Sequence, residues 1–370
     1  MIDRRRILAL AAVAAFLVLT VGPAALAAVV GSPTLTPRVV QSGLEYPWDI
    51  AFAPDGRMFV TERPGRIRIF ASGNAGAALL KTFTISNVHA SGESGAMGIA
   101  LDPDFATNGY LYVCVSRDDE SQWRNQVIRY RVTGTAFAFD RYLVRRGALA
   151  ASNHDGCRIR FGPGGKLWVT MGDAGDGSLA QDPGAYNGKV LRVNRDGSIP
   201  ATNPIMPGAA ARTAVYSMGH RNPQGIAFQP GTGRVYAVEH GPDCDDEINW
   251  IRAGRNYGWP IEVGTEPGEP YSNPAWESDC PTIAPSGATF VTGANWGSFE
   301  GRLFVATLKE QDLRRFWISG DGLTAVQKGI HYDGRWGRLR AAVLGPAGRL
   351  YLTTSNGVDD RIIRIVATVP

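Results

Sequence analysis

Residues 47–62 read PWDIAFAPDGRMFVTE, which is an apolar segment, a turn and a second apolar segment. The turn, Pro54-Asp55-Gly56, is built from residues that favour reversal of the chain. Short apolar runs bounded by Gly and Pro indicate buried strands rather than helices. The stretch therefore predicts two short strands joined by a turn, with Phe59 at the centre of the second strand.

The same pattern returns five more times along the chain. Each copy follows a turn that contains Gly or Pro, and the central aromatic residues are Phe59, Tyr112, Trp168, Tyr236, Phe304 and Tyr351. A further apolar strand follows most copies, for example Arg66–Ile69 and Lys189–Val193. Repeats of this length, with three or four strands each, are typical of β-propellers, in which radial stacking buries the faces of each sheet. The six copies predict an all-β fold, a six-bladed β-propeller.

The alternative fold is a pair of two-sheet sandwiches. The strict order of three strands in each copy favours the propeller over this alternative. Beyond the N-terminal segment, no long stretch has the 3.6-residue period of an amphipathic helix, so we expect little helix.

The composition narrows the functional classes. The 370 residues include 45 Gly and 23 Pro, which favours many turns. Apolar residues make up 44% of the chain, enough to fill a core. The net charge of +4 is small and no basic run occurs in the body of the chain, so we expect no nucleic-acid partner.

The N-terminus has the pattern of a targeting segment. Arg4, Arg5 and Arg6 precede an apolar run, Ile7 to Leu19, that is too short to cross a bilayer comfortably. Ala25-Leu26-Ala27 matches a cleavage site, so residues 1–27 are predicted to be a signal peptide. An uncleaved membrane anchor is the alternative. We therefore expect an extracytoplasmic protein, periplasmic or secreted, without a membrane span in the mature chain.

Two further regions follow the signal peptide. Residues 28–45 are predicted to be a lead-in that forms an edge strand closing the ring. Residues 46–366 are predicted to be the propeller domain.

Four cysteines, Cys114, Cys157, Cys244 and Cys280, allow three disulfide pairings. Their spacing does not match a zinc site. A Cys244–Cys280 bridge is favoured because both residues lie in polar loops. Cys114 ends an apolar strand, and whether it is a buried thiol or a disulfide partner stays open.

Polar residues of the types that serve in binding and catalysis concentrate in four loops. These are Ser91–Gly95, Asn153–Gly156 with Met171–Asp173, Gly219–Gly225, and Glu239–Pro242 with Asp245–Glu247 and Asn256–Pro260. Three of the five histidines lie in these loops. Long loops of a repeat fold commonly carry function.

These loops resemble the glucose/sorbosone dehydrogenase family, soluble quinoproteins that oxidise aldose sugars with pyrroloquinoline quinone (PQQ). The resemblance rests on HDG at 154–156, GHRNPQG at 219–225, EHGP at 239–242 and NYGWP at 256–260, and it extends from about residue 40 to 366. The family fold is a six-bladed propeller, in agreement with the repeat count. The resemblance implies an aldose substrate, oxidation to a lactone and an external electron acceptor.

The resemblance also implies catalytic roles for three residues. His154 would be the base that takes the proton of the anomeric hydroxyl, and Asp173 would orient its imidazole. Arg221 would stabilise the negative charge that develops on the quinone oxygen.

PQQ carries three carboxylates, so basic residues are expected around it. The cofactor-binding residues that the resemblance implies are Glu93, Arg221, Asn222, Lys309, Arg338 and Arg340. Arg338 and Arg340 are two residues apart, which would place them on one face of a strand.

Calcium is the second implied cofactor. The backbone carbonyls of Gly241 and Pro242 would bind Ca²⁺, which prefers oxygen ligands and would activate the quinone as a Lewis acid. The acidic run Asp245–Glu247 is at least as compatible with a solvated loop that caps a turn.

The chain departs from the family pattern in two places. Ala341 and Ala342 stand where the family commonly has an acidic residue and Val, and Cys157 replaces a usual Gly beside His154. The second departure concerns the packing around His154.

Two other functions remain open. One is a non-catalytic propeller that binds carbohydrate or protein, although such a module would not need all the basic and catalytic residues named above. The other is a Ca²⁺-dependent lactonase-type hydrolase, for which Asp49, Glu93 and Asn222 could be ligands.

Overall fold

The computed structural model describes residues 31–266 and 270–370, and within them the chain forms six sheets of four antiparallel strands. The predicted signal peptide, residues 1–27, lies outside the described residues. In each sheet the four strands are here called inner, second, third and outer. The inner strand of each sheet packs against the inner strand of the next, and the sixth packs against the first. The fold is therefore a six-bladed β-propeller, as the repeat predicted.

Blades 1 to 5 take their strands in chain order. Blade 1 has Pro47–Phe52, Met58–Glu62, Arg66–Phe70 and Leu79–Thr84, and blade 2 has Ala96–Leu101, Tyr110–Asp119, Gln122–Thr133 and Ala136–Val144. Blade 3 has Gly156–Phe161, Leu167–Met171, Lys189–Val193 and Val215–Met218, and blade 4 has Pro223–Phe228, Val235–Glu239, Glu247–Ile251 and Trp276–Glu277. Blade 5 has Pro285–Phe290, Leu303–Thr307, Leu313–Ile318 and Ala325–His331.

Blade 6 joins the two ends of the propeller. Its inner, second and third strands are Leu339–Leu344, Leu350–Thr354 and Asp360–Thr368. Its outer strand is Thr34–Leu44, which pairs antiparallel with the third strand. Because this strand comes from the start of the described chain, backbone hydrogen bonds hold the ring closed.

The six aromatic residues of the repeat all lie in second strands, and all are buried. Four of them pack on a Phe at the end of the next blade's inner strand, with ring centroids 4.6 to 5.9 Å apart: Tyr112 on Phe161, Trp168 on Phe228, Tyr236 on Phe290 and Tyr351 on Phe52. One blade alone cannot cover the face of its sheet that carries these aromatic side chains, and this explains why the repeated segments are apolar.

The helices among the described residues are short. The α-helices are Phe105–Asn108 and Ser178–Gln181, and the 3₁₀ helices are Pro163–Gly165, Ala294–Phe299 and Pro346–Gly348. None of the helices in residues 31–266 and 270–370 is both long and apolar enough to cross a membrane.

Two disulfides cross-link the chain. Cys244 and Cys280 are joined, as predicted. Cys114, which the sequence left open, is not a thiol but forms a disulfide with Cys157. This second bridge connects the second strand of blade 2 with the inner strand of blade 3.

Charged side chains join the inner strands across the ring. Asp49 of blade 1 is fully buried and pairs with Arg158 and Arg160 of blade 3, at 2.8 and 2.6 Å. The Arg158 guanidinium lies over Trp48, 3.8 Å from the ring centroid, and its Nε donates to the Gln224 carbonyl of blade 4 at 2.9 Å. These contacts connect blades 1, 3 and 4, and Gln224 also contacts Glu93 and Arg340 of the candidate site.

Candidate active site

Four of the residues singled out by the sequence lie just before inner strands. Glu93 precedes the inner strand of blade 2, His154 that of blade 3, Asn222 that of blade 4, and Arg338 that of blade 6. Hydrogen bonds between three of them show that these strand starts come together at one end of the ring. Residues far apart in sequence thus form one polar cluster.

Glu93 is the centre of this cluster. Its Oε2 accepts hydrogen bonds from the His154 backbone N–H at 2.9 Å, the Asn222 side chain at 3.1 Å and the Gln224 side chain at 3.2 Å. Burial on its own would raise the pKa of Glu93, but electrostatic interactions with His240 and Arg340 and the hydrogen bonds from Asn222 and His154 hold this pKa below the ordinary value. An ionised Glu93 therefore links blades 2, 3 and 4.

His154 is oriented by a fixed carboxylate. Its Nδ1 lies 2.8 Å from Asp173 Oδ1. Asp173 is buried and also accepts hydrogen bonds from the Gly175 N–H and the Trp259 indole, both at 2.8 Å. A carboxylate that is held in this way favours the tautomer with the proton on Nδ1. His154 Nε2, which has no hydrogen-bond partner among the described residues, is then the atom that can accept a proton.

Arg221 and Asn222 form hydrogen bonds with the loops that carry His240 and His154. Arg221 donates to the Glu239 carboxylate through its backbone N–H and to the His240 carbonyl through Nη1, both at 3.2 Å. Asn222 Oδ1 accepts the Gly156 N–H at 3.1 Å. Arg221 lines a small pocket with His240, Gly241, Pro242 and Trp259.

Two buried nitrogen atoms beside this pocket have no partner in the described chain. They are Arg221 Nε and His240 Nε2. Burial lowers the pKa of His240, although Glu93 opposes the effect. Buried polar atoms are normally hydrogen-bonded, so two such donors or acceptors at one place suit a polar ligand.

Arg340 and Arg338 differ in exposure. The inner strand of blade 6 begins at Leu339, so Arg338 precedes it and is exposed, whereas Arg340 is buried. The expectation that both lie on one face of a strand fails for this reason. Arg340 Nη1 donates to Gln224 at 2.7 Å, and burial lowers its pKa to about 9 even though Glu93 favours the charge. The nearby charge of Arg338 contributes to this lowering, so the two guanidinium groups are neighbours.

Lys309 and the Gly241–Pro242 segment lie on the blade 4 and blade 5 side. Lys309 is exposed, and its Nζ donates to Thr282 at 2.8 Å. The Gly241 N–H donates to Asp246 Oδ1 at 2.8 Å, and Asp246 also accepts the Ala284 N–H at 2.7 Å. Asp246 therefore fixes backbone turns, as the structural interpretation of the acidic run predicted, but Asp246 and Glu247 are buried, so the prediction of a solvated loop is wrong.

The described residues contain no group of three or more Asp, Glu, His or Cys side chains that could hold a metal ion. Backbone ligation is a different case. Neither the Gly241 nor the Pro242 carbonyl accepts a hydrogen bond from the described part of the chain. Two carbonyl oxygens without donors suit a hard cation such as Ca²⁺, which takes oxygen ligands.

The cluster carries positive charge that ion pairs do not balance. In residues 31–266 and 270–370, none of the four arginines near the cluster forms an ion pair within 4.0 Å, namely Arg63, Arg221, Arg338 and Arg340, and neither does Lys309 on the blade 5 side. The residues present therefore fit an anionic, planar group with several carboxylates.

Several residues of the cluster were not singled out from the sequence. Gln224 bridges Glu93 and Arg340, and Trp259 holds Asp173. Both lie inside quoted motifs, so their position in the motif was the available signal. Arg63 stacks on Tyr46 at 4.1 Å, and Glu93 is among the charges that act on it.

Comparisons with known proteins find similar sequences over most of the chain. The family model for glucose/sorbosone dehydrogenase matches residues 44–364. The aldose sugar dehydrogenase YliI of Escherichia coli is 30% identical over 349 residues, which cover 87% of this chain and 90% of that protein. Quinoprotein glucose dehydrogenase B of Acinetobacter calcoaceticus is 32% identical over 307 residues, 74% of this chain and 63% of that protein.

A solved structure extends the comparison to three dimensions. The PQQ-bound form of aldose sugar dehydrogenase from Streptomyces coelicolor superposes with a TM-score of 0.76 at 30% identity. The superposition covers 91% of this chain and 99% of that one. The match extends over all six blades.

Proposed function

This chain belongs to the glucose/sorbosone dehydrogenase family of oxidoreductases, and we propose that it oxidises aldose sugars at the anomeric carbon to lactones with PQQ as cofactor. The observation that carries the proposal is the His154–Asp173 pair beside arginines that form no direct ion pair among the described residues. A proton acceptor next to a site for an anionic oxidant is what removal of a hydride and a proton from a sugar requires.

His154 is the proposed base. Its Nε2 takes the proton of the anomeric hydroxyl while the hydrogen on the anomeric carbon leaves as hydride. PQQ, when bound, supplies the two-electron acceptor for that hydride. Asp173 keeps Nδ1 protonated and stabilises the imidazolium that forms.

The basic residues are proposed to bind and polarise the cofactor. Lys309, Arg338 and Arg340 would neutralise its carboxylates, and Glu93 and Asn222 would hold the loops around it. Arg221, whose Nε has no partner, would donate to the oxygen on which negative charge develops. Calcium would be held by the carbonyls of Gly241 and Pro242, where it supplies a Lewis acid.

The cellular setting is proposed from the sequence. Cleavage of residues 1–27 would deliver an extracytoplasmic enzyme, a compartment in which the two disulfides persist. An external electron acceptor must then reoxidise the cofactor, because PQQ has to return to its oxidised form for each turnover.

Reconstitution tests the proposal. The purified protein should be inactive with aldoses and an artificial electron acceptor until PQQ and calcium are both added. Nicotinamide and flavin should not replace PQQ, since no strand–GxGxxG–helix segment occurs in the sequence. Aldose oxidation with nicotinamide alone would contradict the proposal. Binding of sugar without oxidation, in the presence of both cofactors, would favour the non-catalytic alternative.

A further inference from the structure

The segment from His154 to Cys157 has a backbone that side chains disfavour. The φ angle is 58° at His154, 61° at Gly156 and 68° at Cys157. A residue with a Cβ atom loses about 1–2 kcal/mol in this left-handed region, and only Gly156 escapes that cost. The surroundings must therefore hold His154 and Cys157 in place.

Hydrogen bonds hold the first part of the segment. The His154 N–H donates to Glu93 at 2.9 Å, and its carbonyl accepts the Ala174 N–H at 3.1 Å. The Gly156 N–H donates to Asn222 at 3.1 Å. These bonds attach residues 154 and 156 to other loops of the candidate site.

Cys157 is held differently. The pairing between the inner and second strands of blade 3 is irregular between Gly156 and Ile159, so Cys157 lies in a bulge of its own blade. Its covalent partner is Cys114 in blade 2, with Cα atoms 5.7 Å apart and both residues fully buried. The disulfide thus replaces a restraint that the strand pairing lacks at this residue.

Blade 2 makes a second contact with this segment, from the face of its sheet that carries Cys114. Cys114 and Ser116 are two residues apart in one strand, and Ser116 is paired with Asn125 in the next. The Asn125 side chain donates to Asp155 Oδ1 at 3.0 Å. This face of blade 2 therefore holds residues 155 and 157, directly after His154.

We propose that the Cys114–Cys157 disulfide is a positioning element for His154. It rests on the proposed function, in which His154 is the base. With the disulfide intact, the segment keeps His154 Nδ1 on Asp173 and Nε2 available to substrate. Without it, residue 157 leaves the left-handed region, and the imidazole departs from Asp173 for part of the time. Glu93 and Asn222 keep the hydrogen bond between them, and Arg338 and Arg340 lie in blade 6, so we expect little change in cofactor affinity.

Two variants separate positioning from packing. Cys114→Ala breaks the bridge and leaves Cys157 with an unfavourable φ, and we expect kcat at saturating PQQ to fall about 10-fold, given the rate cost of small misplacements. Cys114→Ala/Cys157→Gly also lacks the bridge, but glycine tolerates this φ, and kcat should recover to within about threefold of the parent. The PQQ dissociation constant should stay within about twofold in both. Cys114→Val, which refills the space of the sulfur, replaces Cys114→Ala if that variant does not fold.

Two further readouts identify His154 as the affected residue. In a His154→Ala background, Cys114→Ala should cause no additional loss of rate, because the two changes act through one group. In the protein without cofactor, ¹⁵N-histidine NMR should show one set of His154 imidazole signals in the parent and broadened or doubled signals in Cys114→Ala. Cys244→Ala/Cys280→Ala, which removes the other bridge, should leave the His154 signals unchanged.

An unchanged kcat and unchanged His154 signals in Cys114→Ala would overturn the proposal. An equal additional loss of rate in the His154→Ala background would also overturn it, since the effect would then not pass through His154. If the parent oxidises no aldose, the proposed function fails, whereas the NMR comparison still tests the positioning of His154.

Discussion

Arg338 is exposed, forms no ion pair among the described residues, and lies next to the buried Arg340. A side chain of this kind contributes little to stability, and its proposed role is to bind a carboxylate of PQQ. Arg338→Ala should therefore weaken PQQ binding by about 10- to 100-fold, the value of a charge-assisted hydrogen bond of about 1.5–3 kcal/mol.

Titration of PQQ into the protein, followed by absorbance, measures this effect. Arg141→Ala is the matched control, because Arg141 is also exposed but lies in the outer strand of blade 2. It should leave the PQQ dissociation constant unchanged. A parent-like dissociation constant in Arg338→Ala would remove Arg338 from the cofactor site.

The buried carboxyl group of Asp155, next to His154, is expected to make the stability of the protein depend on pH. Burial raises the pKa of its carboxyl to about 8, against the hydrogen bonds from Asn125 and Ala151, and Oδ2 is buried without a partner. The folded protein thus holds a proton that the unfolded chain, with an Asp pKa of about 3.9, has lost. Stability from this group is therefore present at low pH and falls as pH rises from about 4 to about 8, by at most about 1.4 kcal/mol per pH unit.

Asp155→Asn removes this titration. Urea unfolding of the parent and the variant between pH 5 and pH 8 should show the variant gaining stability relative to the parent as pH rises. A constant difference across that range would mean that Asp155 is ionised in the folded protein throughout.

At the scale of the elements, the inner strands depend on one buried carboxylate. Asp49 in blade 1 is fully buried and holds Arg158 and Arg160 of blade 3. Burial tends to raise the pKa of Asp49, but the two guanidinium charges lower it below the ordinary value. Asp49→Asn leaves both arginines without their counter-ion and should cost about 3–5 kcal/mol of unfolding free energy.

The control for this variant is Asp55→Asn, whose ion pair with Arg57 is half exposed. It should cost no more than about 1 kcal/mol. Urea midpoints for the two variants measure the difference. Equal midpoints would show that the ion pairs across the ring do not support the blades.

At the scale of the whole molecule, the sequence predicted the ring because each blade repeats its buried strands. Each second strand carries a large buried aromatic residue, which in four blades packs on a Phe of the next blade, so every copy has a strong pattern. The outer strands were much less visible. Leu79–Thr84 is mostly exposed and Trp276–Glu277 is only two residues long, so neither has the apolar pattern of a buried strand.

The candidate site was predictable where it coincides with motifs and not where it depends on tertiary contacts. The motif resemblance named His154 and Asp173, which lie 2.8 Å apart. The motif resemblance could not predict that Arg338 is exposed and Arg340 is buried. The inner strand of blade 6 begins between them, at Leu339, and where that strand begins depends on the folded blade. Nor could spacing identify Cys114 as the partner of Cys157, since two blades must pack before the sulfur atoms meet.

The measurement that tests the account most directly is the rate of aldose oxidation by His154→Ala at saturating PQQ and calcium. His154 Nε2 is the proposed proton acceptor, while the basic residues proposed to bind the cofactor are unchanged in this variant. We expect PQQ to bind with the parent's affinity and kcat to fall by about 10²–10⁴-fold, the usual contribution of general base catalysis. A variant that is saturated with PQQ and turns over aldose at the parent's rate would contradict the account.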